Sequence, residues 1–410
     1  MNSETLFYII LSILVIDYLF DSLLNFINYK HYGDQLPQEV NDVFDQEEYI
    51  KSQQYKKENF KVGRLKNFMS IAITVLFISF DGFKYVDDLA RNISENELVI
   101  ALLFFGIIML ASDILFTPFS YYRTFTIEEK YGFNKMTKKM FWLDKLKGLG
   151  LSIILGGVIM SLIILFYQLQ PNTFWLYAWG LVALFTVLMN ALYSTVIVPL
   201  FNKQTPLEEG ELKTAIEAFA KKVDFKLDNI FVIDGSKRST KANAYFAGIG
   251  STKRIVLYDT LINDLTTEEI VAVLAHEVGH YKKKHVLFNL FSAIITTGIT
   301  FYILSVVINN PLLSNALGVD VPSFHIGLTA FGLLYSPISM ITGIIMNAIS
   351  RKFEYQADDY AKYNYDGKYL VSSLKKLTKK SLSNLTPHKS YVFVHYSHPT
   401  LRSRIVNLYK

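Results

Sequence analysis

The sequence predicts an all-α membrane protein with seven transmembrane helices and a small α+β domain between the fifth and sixth of them. Hydrophobic residues make up 51% of the 410 residues and the mean hydropathy is positive, which is unusual for a soluble enzyme of this length. Long apolar stretches recur seven times along the chain. Between the fifth and sixth stretches, residues 201–285 contain two strand-like runs and a helix with a metal-binding pattern.

Most of the apolar stretches reach the roughly 20 residues needed to cross about 30 Å of hydrocarbon. The second stretch is shorter, and we expect it to borrow flanking residues. The first stretch lacks a basic leader and exceeds the roughly 7–15 residues of a signal-peptide core, so we expect a retained helix. The stretches are 6–26, 68–83, 98–119, 149–169, 174–200, 286–308 and 324–349.

The predicted spans divide the chain into four parts. Residues 1–200 form an amino-terminal membrane domain with five helices, and residues 201–285 form a cytoplasmic domain with the metal-binding helix. Residues 286–349 supply helices six and seven, and residues 350–410 form a cytoplasmic part that completes the metal site. Residues 33–63 are charged and Gln-rich, which predicts a solvated, helical cytoplasmic loop.

Positive charges alternate between the connections and predict the orientation in the membrane. Lys and Arg are frequent after the first and third spans, and absent from residues 170–173 and 309–323. By the positive-inside rule the amino terminus is outside, and the carboxyl terminus and residues 201–285 are cytoplasmic. The net charge of +5 follows from this asymmetry, and without a nucleic-acid motif we expect the lipid bilayer, and no nucleic acid, as a partner.

The segment HEVGH, residues 276–280, predicts a metal site on a helix. His276 and His280 are four residues apart, so both imidazoles can point at one ion, and Glu277 can reach a water held by that ion. The chain has no cysteine, so a transition metal must use His, Asp or Glu.

Residues around this segment predict the helix itself. Thr266 and Glu269 have the spacing of a capping box at its start. Gly279 weakens helix propensity, so we expect the metal or another backbone to approach it closely. Apolar residues at helical spacing bury one side, namely Ile270, Val271, Val273, Leu274 and Val278.

A catalytic metal of this kind needs a third protein ligand. Glu354 and Asp358 are four residues apart on a predicted helix after the seventh span. Glu354 is the expected ligand, and Asp358 is expected to accept a ring N–H from a ligand histidine. From the residues alone, Asp359, Asp366 and a further histidine compete with Glu354.

Several carboxylates lie within the predicted spans, where charge is costly. Asp17 and Asp21 share a face of the first span, and Asp81 and Asp113 lie near span ends. They indicate either a water-filled cavity among the helices or, for each residue, snorkelling or a buried hydrogen bond.

HEVGH followed by SRKFEYQAD, in a chain with seven spans, resembles the type I CAAX prenyl proteases, which are membrane zinc metalloendopeptidases of the gluzincin kind. The resemblance extends over nearly the whole chain. It includes residues 51–55, the segment FTIEEKYGFNK at 125–135, and YSHPT at 396–400 with Arg404.

The resemblance implies one zinc ion per chain, bound by His276, His280 and Glu354, with Glu277 as the catalytic carboxylate. It also implies that the seven helices enclose a large hydrophilic chamber. His398 and Arg404 are the implied donors to the oxyanion that forms during hydrolysis. His388 and His395 are rivals of lower rank.

The strand-like runs 229–233 and 254–258 flank Asn243 and Ala244. By the same resemblance these two residues begin a substrate-binding edge strand, to which an extended peptide would add. An ordinary short strand in a small sheet is the alternative.

The expected function is hydrolysis of a peptide or protein substrate near its carboxyl terminus, either a CAAX-type sequence, prenylated or unmodified, or a hydrophobic peptide. One alternative is a membrane-protein quality-control protease of broad specificity. Another is a non-enzymatic transporter or scaffold with a structural zinc. The presence of Glu277 argues against this alternative, because a purely structural zinc site does not need a carboxylate there. The Lys, Asn and Ile bias favours a bacterial inner membrane, and the endoplasmic reticulum is the location expected in a eukaryote.

Overall fold

The computed structural model describes residues 2–227, 229–247 and 254–410. Seven of its helices are long and apolar enough to cross a membrane, as predicted. The helices of the membrane part are α1 (Ser3–Lys30), α2 (Gln46–Ser79), α3 (Gly82–Ile93), α4 (Glu97–Tyr122), α5 (Lys138–Leu151), α6 (Gly157–Leu169) and α7 (Phe174–Leu192). A π-helical segment, Arg123–Glu128, continues α4, and another, Ser152–Gly156, joins α5 to α6 in one span.

The spans bury little of their apolar surface inside the protein. Only 6–17% of the most apolar window of each span is buried inside the protein. Large side chains such as Ile114 and Leu169 are more than two-thirds exposed, as expected of residues that face lipid.

A small mixed sheet lies between the fifth and sixth spans. Its strands are β1 (Gln204–Pro206), β2 (Asn229–Ile233), β3 (Ala244–Ala247) and β4 (Arg254–Tyr258). The order is β1-β2-β4-β3, in which the central pair is parallel and both outer strands are antiparallel to their neighbours. The predicted strands at 229–233 and 254–258 therefore form the centre of the sheet.

The remaining helices include the last two spans and the helix with the predicted metal-binding pattern. In chain order they are α8 (Glu211–Lys222), α9 (Asp259–Asp264), α10 (Thr267–Lys282), α11 (His285–Val307), α12 (Pro311–Asn315), α13 (Phe324–Asn364), α14 (Gly367–Lys380), α15 (Lys389–His395) and α16 (Leu401–Tyr409). The seventh span and the helix after it are one continuous helix, α13, of 41 residues. Because α13 is continuous, the seventh span leads directly to Glu354 and Asp358 of the predicted metal site.

The segment 33–63 corrects one expectation. Val40, Val43, Phe44 and Tyr55 are buried in the main hydrophobic core, together with residues of α10, α14 and α16, so these residues are not solvated as predicted. The predicted helical structure is confirmed from Gln46 onward. A capping box between Asp45 and Glu48 starts α2, which then runs without a break through the second span. The short second apolar stretch is thus extended to a full span by residues on its amino-terminal side.

Candidate metal centre

Helix α10 is fixed at its start and along its length. Thr266 and Glu269 form the predicted capping box, and Glu269 is buried, accepting hydrogen bonds from Ser372 and Lys376 of α14. At Gly279 a Cβ atom would lie 3.1 Å from the Cα of Ala357 on α13. The close approach predicted for this glycine is therefore made by another backbone, and it brings α10 and α13 into contact.

Two histidines of α10 and one glutamate of α13 converge. The Nε2 atoms of His276 and His280 are 3.2 Å apart. Glu354 places Oε2 at 3.4 Å from Nε2 of His276 and Oε1 at 3.3 Å from Nε2 of His280. One ligand atom from each residue lies within 4.8 Å of the others.

This arrangement fits a divalent cation. Among the described residues, Oε2 of Glu354 is buried without a hydrogen-bond partner, which is costly for a carboxylate oxygen. Two imidazole nitrogens and one carboxylate that meet at a point are a ligand set suited to zinc, with room for a fourth group.

Behind His276 lies a buried acidic group. Oδ1 of Asp358 is 2.9 Å from Nδ1 of His276, the contact that the sequence predicts. Burial disfavours the charged imidazolium, but the contacts with the carboxylates of Asp358 and Glu354 outweigh it and raise the pKa of His276 to about 9. The two carboxylates thus favour positive charge at this position, whether on the imidazole ring or on a bound cation.

Arg404 lies deep in the site, with 9% of its surface exposed. Two of its nitrogens donate to the two oxygens of Asp358, at 2.9 and 2.5 Å, and Nη1 is 3.5 Å from Oε2 of Glu354. Burial opposes the guanidinium charge, but Asp358 and Glu354 hold the pKa of Arg404 above its ordinary value. Arg404 thus neutralises the carboxylates behind the ligands.

His398 approaches the ligand group from the carboxy-terminal segment. Its Nε2 is 3.2 Å from Oε1 of Glu354, and its side chain is 62% exposed. Arg351 of α13 donates to the carbonyl oxygen of Tyr396 at 2.5 Å and so holds the segment that carries this histidine. His398 is therefore open to a substrate, unlike Arg404.

Glu277 lies on the turn of α10 that carries His276 and is partly exposed. Within the described part of the chain, its carboxylate has no hydrogen bond or ion pair. It is thus free to exchange a proton with a bound molecule.

Comparison with known proteins decides the family. Residues 25–203 match the model described as CAAX prenyl protease N-terminal, five membrane helices, and residues 206–410 match peptidase family M48. CAAX prenyl protease 1 homolog of Dictyostelium discoideum is 38% identical, with 98% of this chain and 97% of that protein covered.

The chain belongs to the type I CAAX prenyl protease family, within peptidase family M48. CAAX prenyl protease 1 of Saccharomyces cerevisiae is 35% identical over 95% of this chain and 92% of that protein. The crystal structure of S. mikatae Ste24p is 35% identical, with a TM-score of 0.94 over 98% of this chain and 99% of that one. The chain is therefore a metalloendopeptidase and an integral multi-pass membrane protein that acts on a peptide or protein substrate.

Within this M48 peptidase, the alternative ligands Asp359 and Asp366, and the two histidines that rival His398 as oxyanion donor, have other partners. Asp359 accepts a hydrogen bond from Asn407, and Asp366 caps α14. His388 stacks on His31, and His395 lies 3.3 Å from Asp21. None of these four belongs to the metal-binding cluster of the described residues.

The strand β3 lies at the edge of the sheet, where the sequence places Asn243 and Ala244. The carbonyl oxygen of Asn243 accepts from the backbone N–H of Tyr258, and its side chain accepts from the N–H of Ala244 at 2.9 Å. β3 pairs with β4 on one side. Its other edge pairs with no described strand.

Two carboxylates of the spans have polar partners. Asp17 accepts from Ser336 at 2.5 Å, and Asp113 pairs with Lys145 at 2.6 Å. The contact of Asp17 fits the expected hydrogen bond, whereas the half-exposed ion pair of Asp113 was not among the expectations.

Two residues near the centre escaped the sequence analysis. Nδ1 of His285 is 3.0 Å from Nδ1 of His280, and Nε2 of His285 is 2.8 Å from Oε1 of Gln356. The sequence did contain a signal for one of them, because His285 follows His280 by only five residues in a chain with eight histidines.

Proposed function

We propose that this M48 peptidase uses one zinc ion to hydrolyse peptide bonds near the carboxyl terminus of CAAX-type or hydrophobic peptides, prenylated or unmodified. The convergence of His276, His280 and Glu354, with the partly exposed carboxylate of Glu277 on the same helix turn, carries the proposal. A cation ligand set next to a free base is the requirement for metal-assisted hydrolysis.

The three ligands would be held by their neighbours. Asp358 accepts the Nδ1 proton of His276, which leaves the Nε2 lone pair directed at the metal. Arg404 keeps Asp358 charged and fixed, so we assign it a positioning role instead of the expected role as oxyanion donor. Bound zinc would supply Lewis acidity, which polarises the scissile carbonyl and lowers the pKa of water towards neutrality.

Proton transfer falls to Glu277. Its carboxylate accepts the proton of the attacking water and then delivers it to the leaving amine. His398, exposed and next to Glu354, donates an N–H to the oxygen on which negative charge develops. Both roles need groups that are open to the substrate, and both side chains are.

The substrate would bind as an extended strand along β3. The outer edge of this strand, which begins at Ala244 next to Asn243, offers backbone groups to a peptide. Pairing through backbone groups accepts varied sequences, because it does not depend on the side chains of the substrate. The names of the relatives, CAAX prenyl protease 1, support a CAAX-type carboxyl terminus as the substrate class.

The charge pattern supports an outside amino terminus and a cytoplasmic site. Composition supports a bacterial inner membrane, or the endoplasmic reticulum if the source is a eukaryote. A second candidate function, quality control of membrane proteins, is favoured by the same backbone-based edge. It predicts equal use of lipidated and unmodified peptides.

The test compares purified wild type with Glu277→Gln in detergent, on a farnesylated CAAX peptide and on the same peptide without the lipid. Glu277→Gln should keep the metal and lose about 10²–10⁴-fold or more in kcat, because an amide cannot act as a base. Glu268→Gln makes the same change on the first turn of α10 and should keep wild-type activity.

Near wild-type cleavage by Glu277→Gln would contradict the mechanism. A strong preference of the wild type for the farnesylated peptide supports CAAX processing, whereas equal cleavage of both supports the quality-control function.

A further inference from the structure

We propose that His285 and Gln356 are positioning residues that fix His280 as a metal ligand through a neutral chain of hydrogen bonds. The inference rests on the zinc site proposed above and deepens it. It concerns His280. Among the described residues, no carboxylate lies behind the ring of His280 in the way that Asp358 lies behind that of His276.

The chain of contacts has one consistent direction. If Nε2 of His280 binds the metal, the single proton of the neutral ring is on Nδ1. This N–H faces Nδ1 of His285 at 3.0 Å, which must then accept. The proton of His285 is consequently on Nε2, which faces the amide oxygen of Gln356 at 2.8 Å and donates to it.

The position of His285 depends on an uncommon turn. Lys284, between α10 and α11, has φ 61°, a left-handed conformation that non-glycine residues rarely adopt. The turn brings His285 back beside the helix that has just ended. His285 is 3% exposed, and its ring stacks on Phe353 with centroids 4.0 Å apart and planes 8° apart. The imidazole therefore has a fixed plane as well as fixed partners.

The two metal-binding histidines thus have different support. His276 has the carboxylate of Asp358, whose charge Arg404 balances. His280 is supported by the uncharged side chains of His285 and Gln356. They orient its ring and add no further negative charge to a site that already holds Glu354 and Asp358. Helix α13 supplies a residue to each arrangement, because Glu354, Gln356 and Asp358 lie within two turns.

The experiment separates hydrogen bonding from packing by measuring zinc affinity in competition with a chelator. His285→Phe keeps a ring to stack on Phe353 but removes the acceptor, and should weaken zinc binding about 10–100-fold. His285→Asn loses the ring but can place Oδ1 where Nδ1 lay, and should recover most of the affinity. The metal-free melting temperature of His285→Phe should stay close to that of the wild type.

Gln356→Leu and Gln356→Glu form a second pair at a partly exposed position, which tests the chain if a His285 variant does not fold. Leu removes the acceptor and should weaken zinc binding several-fold, whereas Glu keeps an acceptor and should keep the affinity. The absorption spectrum of cobalt-substituted protein should change for His285→Phe and Gln356→Leu only.

Equal zinc affinity of all variants would overturn this inference alone, as would tight binding by His285→Phe with weak binding by His285→Asn. A wild type that binds no metal would overturn the zinc site itself and the inference with it.

Discussion

Lys241 and Glu128 form an ion pair, with Nζ 2.7 Å from Oε2. It links the segment that leads into the edge strand β3 to a membrane helix. Lys241 lies two residues before Asn243, and Glu128 ends the π-helical segment that continues α4. Tyr55 of α2 donates to Oε1 of Glu128 at 2.6 Å, and the Lys241 ammonium lies 4.3 Å from the ring centre of Phe133. The proposed substrate edge is therefore anchored on two helices of the membrane domain.

Glu128→Gln should weaken this anchor without reaching the metal. We expect KM to rise roughly three- to tenfold, equivalent to about 0.7–1.4 kcal/mol, while kcat changes little. Steady-state kinetics on the unmodified peptide measures both. Glu129→Gln, next along the chain, has no contact with Lys241 in the described structure and is the matched control. A fall in kcat with unchanged KM would contradict an anchoring role.

Glu354→Ala should remove the metal, because two histidines alone rarely hold zinc in a catalytic site. The matched control is Asp359→Ala, five residues along α13, whose carboxylate contacts Asn407 instead of the site. Elemental analysis of the purified proteins should show one zinc per chain in wild type and control. Full retention in Glu354→Ala would remove Glu354 from the ligand set.

The local pattern of the site was predictable because a helix has a fixed period. The spacing of His276, His280, Glu354 and Asp358 defines which side chains share a face, whatever surrounds them. His285 was not predictable in the same way, since its place depends on the left-handed turn at Lys284. No local pattern signals such a turn at a lysine.

Burial of the segment 33–63 and the partners of Arg404 are tertiary effects. Val40 is buried by helices more than two hundred residues away in sequence, and Tyr55 packs against Tyr131 and Phe133. The charged residues next to them in sequence signal neither contact and suggested a solvated loop. The family resemblance implied that Arg404 is a donor to the oxyanion, and its bidentate contact with Asp358, 46 positions away, was not visible in the sequence. Contacts of this kind depend on how helices pack, which spacing within one helix does not determine.

Glu269→Gln should destabilise the protein in a pH-dependent way. Burial disfavours the Glu269 carboxylate, but bonds from Lys376, Ser372 and the backbone of Thr266 hold its pKa below the ordinary 4.5. A lowered pKa in the folded state stabilises the fold above the unfolded pKa, and this contribution disappears as the pH falls through the folded value.

The loss in Glu269→Gln should thus be about 1–3 kcal/mol at pH 7 and should shrink below about pH 4.5. Melting temperatures of metal-free protein at pH 7, 5 and 4 measure this difference. Glu217→Gln, on the exposed face of α8, should show little effect at any of these values. A difference that is constant with pH would contradict the role of the Glu269 charge.

His398→Ala should lower kcat by about 10²–10³-fold with little change in KM, as expected for one lost oxyanion donor. Its control is His388→Ala, in the same carboxy-terminal region, where the ring stacks on His31 away from the cluster. Single-turnover kinetics with zinc-loaded protein measures the chemical step. A rise in KM alone would assign His398 to substrate binding.

The orientation in the membrane can be tested directly because the chain has no cysteine. Asn172→Cys lies in the exposed connection between the fourth and fifth spans, and Lys283→Cys lies just before the sixth span. Two spans lie between the fourth–fifth connection and the connection that follows the sixth. Val321→Cys, after the sixth span, should therefore react from the same side as Asn172→Cys.

Only one span separates Asn172 from Lys283, so these two sites should react with a membrane-impermeant thiol reagent from opposite sides. The positive-inside rule predicts that Lys283→Cys reacts from the cytoplasm. In the opposite orientation, the positive charges of Lys282, Lys283 and Lys284 would have to be moved across the bilayer. Tyr363→Cys, 79% exposed near the end of α13, should label from the same side as Lys283→Cys. Labelling of Asn172→Cys and Lys283→Cys from one side would contradict the seven-span topology, whereas a complete exchange of sides would keep seven spans and reverse the proposed orientation.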